Sequence, residues 1–510
     1  MMKAAESGQR ITLGITMSPA ELAHAARAEA TFVLAEGCAE KMAASEHVLR
    51  RWACAGREIY GVTTGLGALK DRRIDQEMSR QMQKNILRSH AVSVGRPLSR
   101  EQVRATMIMV VQNLSRGYSG VRKALLDKYI ELLNGDVTPW APGSGSVGYL
   151  CPEAHIGLNI IGEGRAYYNG ELLGGAAALG KAGIAPLELE GREALAMISG
   201  TTSATAIGTL ALCDLLNAAD CADLIAALNV EVTAGQTAAF AAEIMQARPH
   251  PAQERTAERL RMILRDSQYL QSAQGRNLQD PLSIRCIPQL HGAARTLLEN
   301  ARDILETEIN SCCDNPLIFA DDDDGRIMSG CNADASFIGL AMDSACMAAG
   351  ALAKMAERRT YRLLDGSVPG LPLFLIKNPG INSGLMITQY AQAGLLNEMR
   401  ILAAPASTDN VPTSAGQEDY VAMGYNAARK AAMTAEKLEY ILAIELLAVY
   451  QAGMSNSERE AFSSCAKKIF AAISQLGVPA IVEDEYLHDH IEKLKVMIHN
   501  GDLTKCIIPF

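Results

Sequence analysis

The chain has 510 residues, 48% of them hydrophobic and 21% charged, with a net charge of −9. That length suits one large or two fused domains, and the composition is that of a soluble globular protein. An acidic balance without a basic cluster argues against nucleic acid as a partner. Aromatic residues make up 5% while Ala, Leu and Met are abundant, which favours helices over sheets. None of the twelve cysteines forms a C-x-x-C pair, and Cys213, Cys221 and Cys346 sit in apolar stretches. They read as reduced thiols of a cytoplasmic protein. The opening "MMKAAESGQRITLG" lacks the apolar run of a signal peptide. The long Ala-rich runs are interrupted by Asp214, Asp220, Asp223 and Asp343, so they read as core helices, with no membrane as partner.

In chain order, Ser99 and Gln102 form a capping box, with Pro97 just before it. Met107, Val110, Val111 and Leu114 then share one helical face. Leu125, Tyr129, Leu132 and Leu133 repeat the pattern until Asn134-Gly135 stops it. From Leu290, the stripe Ala294, Leu297, Leu298, Ala301, Ile304 and Leu305 predicts a helix that "SCCDNPL" ends at Asn315-Pro316. Segments 336–358, 384–404 and 419–450 are also helical in period, and many lack a polar face. Gly/Pro-rich loops lie at 60–68, 140–152, 272–288, 325–335, 365–384 and 405–418. Loops on a rigid helical frame are where chemistry is expected.

Read together, these loops carry a resemblance. "YGVTTGLG" from Tyr60, "ILRSHAVSVGRPL", "LQDPLSIRCIPQLHGA", "DNPLIF", "NPGINSGLMITQY" and "PTSAGQEDYVAM" occur in the order of the histidine/phenylalanine ammonia-lyase superfamily, from about residue 12 to about residue 455. The resemblance implies a mainly α, ammonia-lyase/fumarase-like fold. It would have an N-terminal lyase domain with the Tyr loop over 1–200, and a long-helix bundle with a C-terminal helical region over 201–510. It also implies a homotetramer.

One family motif is incomplete. The superfamily's G-S-V-G-A-S-G-D-L-A-P-L-x-H contains an Ala-Ser-Gly triad that cyclises into an electrophile. Here Gly145-Ser146-Val147-Gly148 runs directly into Tyr149-Leu150-Cys151-Pro152-Glu153-Ala154-His155. Leu282, Ser199 and the Cys331–Ser336 stretch also depart from the family pattern. A quaternary nitrogen leaves as a neutral amine without prior protonation, so this pattern resembles an ergothionase-like member. It would be a cofactor-free lyase that takes a zwitterionic amino-acid betaine, ergothioneine, to thiourocanate and trimethylamine. The alternatives are a histidine ammonia-lyase whose modified triad is missing from the sequence as written, and a lyase of another histidine betaine such as hercynine. A catalytically dead binding or scaffold protein is the reading from a different class.

The resemblance implies roles residue by residue. Tyr60 would be the general base, and Arg285 would hold the substrate carboxylate through a bidentate fork, with Gln279 at the same end. Glu418 and Asp334 would face the nitrogen, although Asp334 also suits a cap for the helix that follows. His90 would contact the ring. Asn332 and Ser199 would add polar contacts, and Lys377 would meet the sulfur or developing charge, with a surface position as its other reading. Tyr149 would fill the space of the missing triad or wall the nitrogen pocket. No metal set is recognised: His488-x-His490 is an isolated pair, and "DDDDG" (Asp321–Gly325) lacks the spaced ligands of a calcium loop.

Overall fold

The computed structural model describes residues 8–275, 277–322 and 324–506. Residues 1–7 of the opening stretch and Asp323 of the acidic turn lie outside them. The described chain is mostly helical, with a few short strands, as the composition predicts. Its contacts group into two units. One holds the chain up to Leu210 with Arg302–Met342 and Pro405–Arg429, and the other holds Ala211–Ala301, Asp343–Ala404 and the chain from Lys430.

The first unit begins with two parallel strands, Arg10–Leu13 and Thr31–Leu34, in the register Arg10↔Thr31. The helix Pro19–Arg27 connects them, and the Ser18–Glu21 capping box starts it. The predicted box at Ser99 is present: Gln102 N–H donates to Ser99 Oγ at 3.3 Å and Ser99 N–H returns to Gln102 Oε1 at 3.1 Å. The helix it opens, Arg100–Leu114, is buried on every face from Val103 onward rather than along one stripe. Arg104 is tolerated inside because its guanidinium donates to the carbonyls of Ala26, Leu133 and Ala28. In Lys123–Asn134 the predicted stripe is the buried one, with Leu125, Tyr129, Leu132 and Leu133 each at most 2% exposed. Each of these leucines contributes about 1.5–3 kcal/mol by leaving water.

Short strands then tie loops to this frame. Val94–Pro97 pairs antiparallel with Pro142–Ser144, which fixes the start of the motif that lacks the triad. Helix Ser79–His90 packs against Glu153–Ile160 and Glu193–Ile198. Leu317–Phe319 and Arg326–Met328 form a hairpin around the acidic turn. Asp321 and Asp324 of that turn pair with Arg326 and Arg57, so it is a charged surface turn.

The second unit is built from long helices held together by buried charge. Its parts of Thr202–Val232, Ile287–Ile309, Ser336–Leu364 and Gly424–Ser455 meet at one network. His291 Nδ1 lies 2.8 Å from Asp223 Oδ1, Arg295 donates to Asp223 Oδ2 at 2.6 Å, and Arg359 donates to Glu445 at 2.6 and 3.0 Å. Asp223, one of the charges interrupting the Ala-rich runs, is therefore compensated in the interior. The helix predicted from Leu290 begins earlier, at Ile287, and ends at Ile309, short of the predicted Asn315-Pro316 stop. Ser336–Leu364 is long and apolar enough to cross a membrane by composition, yet 61% of its most apolar window is buried inside the chain.

Candidate functional site

The tyrosine loop is pinned before it presents Tyr60. Thr63 Oγ1 accepts from Ile59 N–H at 2.8 Å and donates to Arg57 O at 3.0 Å. Ile74 N–H donates to Thr63 O at 2.9 Å, closing the loop from its far end. Two glycines are sterically required. Gly61, at φ 70°, would drive a Cβ into Leu195 and Leu66, and Gly67, at φ 53°, would drive one into Ser414. The turn aims the Gly67 N–H at the phenol, and it donates to Tyr60 Oη at 2.8 Å.

Tyr60 lines a cavity of about 720 Å³ contained in the first unit. His90, Tyr149 and Glu418 line the same cavity, joined by Ile86, Leu150 and Leu195 on the apolar side. That size and mixed lining suit a small-molecule ligand.

His90 ends its helix with Nδ1 2.8 Å from the Ile86 carbonyl. A carbonyl only accepts, so Nδ1 carries a proton and Nε2 is the ring nitrogen left over from this bond. Glu418 sits on a closed turn: Thr413 N–H donates to Glu418 O at 2.8 Å, and Thr413 Oγ1 donates to Glu418 Oε2 at 3.0 Å. Ser414 Oγ accepts from Ala68 N–H at 3.3 Å, which ties this turn to the tyrosine loop. Thr413 and Ser414 were not singled out by sequence; their position beside "AGQEDY" was the available signal.

The Tyr149 phenol lies beside the Glu418 carboxylate on the wall of this cavity. Burial, then the Glu418 charge, pushes its phenol well above the ordinary range, with Cys331 and Asp334 adding to the effect. Burial likewise pushes the Cys151 thiol up to about 11, so it stays protonated at neutral pH. Glu153, where the family motif has Leu, is 1% exposed. It accepts from Ser203 N–H at 2.9 Å and Thr202 Oγ1 at 3.0 Å, capping the start of a long helix. Burial raises its carboxyl above the usual range despite those donors.

The other predicted residues fall elsewhere. Asp334 accepts from Ser336 N–H at 2.9 Å, which is the capping geometry, while remaining close enough to influence Tyr149. Asn332 Nδ2 donates to Cys312 O at 3.3 Å, and the buried Ser199 hydroxyl accepts from Asn315 N–H at 3.2 Å. Arg285, Gln279 and Lys377 belong to the second unit. There Arg285 is half-buried and donates through Nε to Asp280 O at 3.1 Å, whereas Gln279 and Lys377 are exposed. One group, Asp214, Glu439 and His499, brings a potential ligand atom from each within 4.8 Å. His499 and Lys495 already lie 2.8 and 3.1 Å from Glu439, so its carboxylate is compensated by side chains.

Gly148 joins Tyr149 directly. The Ala-Ser-Gly from which the superfamily's electrophile is built is not there, and the residues present do not fit that group.

Comparison with known proteins places the chain in context. The pattern of one family, aromatic amino acid lyase, matches residues 17–475. A histidine ammonia-lyase of Symbiobacterium thermophilum is 39% identical over 509 residues, covering 99% of this chain and 98% of that protein. Others of the same name are 40% identical over 97% of this chain. Among solved structures, histidine ammonia-lyase from Trypanosoma cruzi matches with a TM-score of 0.91 at 31% identity, covering 98% of this chain and 95% of that one. Ergothionase from Treponema denticola matches with a TM-score of 0.90 at 25% identity, over 97% and 99% of the two chains. These findings correct the sequence expectation. Trimethylamine release from ergothioneine rested on the missing triad, but the near-full-length relatives at about 40% identity are histidine ammonia-lyases. The alternative named for histidine is the better supported.

Proposed function

Because the chain belongs to the aromatic amino acid lyase family, a family of carbon–nitrogen lyases, we propose that it removes ammonia from histidine to give urocanate. The observation that carries this reading is the likeness, over almost the whole chain, to proteins named histidine ammonia-lyase. The retained Tyr60 loop and the "SHAVSVG" segment support it.

The steps are assigned to side chains of this chain alone. Tyr60, as phenolate, takes the β-proton of the substrate, and the Gly67 N–H on its oxygen is a hydrogen bond that strengthens with negative charge. The electrons of the broken C–H bond form the double bond. Those of the C–N bond leave on nitrogen, and ammonia departs. The proton on Tyr60 then passes to water. His90 Nε2 accepts from the substrate's imidazole N–H, and Glu418 faces the departing nitrogen. Arg285, in its Q-D-P-x-S-x-R segment, is the proposed carboxylate clamp, with Gln279 beside it. Ser199 and Asn332 are assigned to framing the loops, Asp334 to the helix start, and Lys377 to the surface.

The assembly we assign is a homotetramer. Phe337 at 67%, Ile387 at 56%, Tyr390 at 66% and Ile401 at 70% exposure are the kind of apolar residues that subunit contacts cover.

The test is incubation of the purified full chain with L-histidine, following urocanate by its ultraviolet absorbance and ammonia by a coupled assay. Equal amounts of both support the reading. Trimethylamine from a histidine betaine with no ammonia from histidine would overturn it.

A further inference from the structure

Tyr149 stands where the sequence departs most from its family, and its placement is specific. It enters the cavity that also holds Tyr60 and Glu418. The backbone below it is fixed in a costly turn. Leu150 has φ 77°, and Cys151 N–H donates back to Tyr149 O at 3.1 Å, closing a γ-turn of the rare positive-φ kind. Leu150 N–H donates to Ile198 O at 3.0 Å, and the Ser146 hydroxyl donates to Tyr149 O at 3.2 Å. A leucine persists in that region only where its surroundings hold it.

The Tyr149 phenol and the Glu418 carboxylate lie close together on the wall of that cavity. A carboxylate only accepts, so toward Glu418 the phenol serves as a donor. The lone pairs of the phenol oxygen are then left for a donor in the cavity. Glu418 Oε2 already accepts from Thr413 Oγ1 at 3.0 Å, and each carboxylate oxygen can accept more than one hydrogen bond. The result is a phenol acceptor beside a charged acceptor, both on the wall of one cavity. An ammonium group, with N–H donors and no acceptor, is the complement of that pair.

We propose that Tyr149 is a specificity-determining residue that, together with Glu418, receives the α-ammonium group of the amino-acid substrate. This rests on the lyase reading above and assigns the side chain that reading leaves unused. Tyr149 contacts the nitrogen from the position that follows Gly148, while Tyr60 meets the β-carbon.

The test is a binding measurement on the full chain carrying Tyr60→Phe, which prevents turnover. Calorimetry compares histidine with imidazolepropionate, the same molecule without the amino group, and phenylalanine with phenylpropionate. Adding Tyr149→Phe weakens the amino acid by about tenfold and leaves its des-amino partner within about twofold, the signature of one hydrogen bond lost to a charged group. Glu418→Gln shows the same selective loss, and serves if Tyr149→Phe fails to fold. Equal weakening of both members of a pair, or no weakening of either, overturns the proposal. If only the phenylalanine pair binds and separates, the ammonium receptor stands and the histidine reading falls. If histidine binds but the pair does not separate, the receptor falls and the histidine reading stands. If no amino acid binds, both are overturned.

Discussion

The backbone N–H of Gly67 donates to the phenol oxygen of Tyr60 at 2.8 Å, so the loop that presents the tyrosine also polarises it. Replacing Tyr60 by Phe keeps the ring and removes the base. The expected loss in kcat is about a hundred- to ten-thousand-fold with KM little changed, as for a general base that acts in the transition state. Steady-state kinetics check this; a loss confined to KM contradicts it.

Gly67 itself is the second point of attack. Its φ is 53°, and a Cβ there would collide with Ser414. Gly67→Ala is expected to lower stability by about 1–2 kcal/mol and to cost activity as well, because the N–H moves off Tyr60. Thermal melts and kinetics on the same sample check both effects.

Glu153 gives a pH signature. Burial raises its carboxyl above the ordinary 4.5, so the folded chain binds this proton more tightly than the unfolded chain does. The stabilising contribution is then present below the unfolded value and is lost as pH rises through the folded one. Glu153→Gln keeps an acceptor oxygen for Ser203 N–H and never ionises. Its stability relative to the native chain is expected to improve by on the order of 1 kcal/mol between about pH 5 and pH 8. Denaturant melts across that range check it, and a gap that does not vary with pH contradicts it.

Much of the scaffold was legible because its signals are local. The Ser99–Gln102 box and the Leu125–Leu133 stripe each lie within a few residues of sequence, and both appear as read. The Arg100–Leu114 helix shows the limit. A stripe locates a helix, but which other faces become covered depends on elements far along the chain, here the carbonyls of Ala26, Ala28 and Leu133. In the site, Tyr60, His90 and Glu418 were identified through their motifs and share one cavity. The Thr413–Glu418 bond and the nearness of Tyr149 to Glu418 were not legible, because a motif names a residue without naming what it touches. The substrate was misread for a chemical reason: the absent triad speaks to how the nitrogen leaves, not to how many carbons it carries.

One such distant pairing supports a prediction of its own. Arg192 and Asp314 are both fully buried and meet at 2.5 and 2.9 Å, with Arg192 also donating to Ser119 O and Asn315 O. Asp314 begins the "DNPLIF" segment, so this pair anchors that segment from inside. Asp314→Ala leaves a buried guanidinium without its counter-charge and is expected to cost about 3–5 kcal/mol. Chemical denaturation measures it, and a cost near zero would mean that the carbonyls alone satisfy Arg192.

The most direct measurement is the product formed from L-histidine by the purified chain. The account predicts urocanate and ammonia in equal amounts, lost in Tyr60→Phe. No urocanate from histidine, or urocanate formed as fast by Tyr60→Phe, would contradict it.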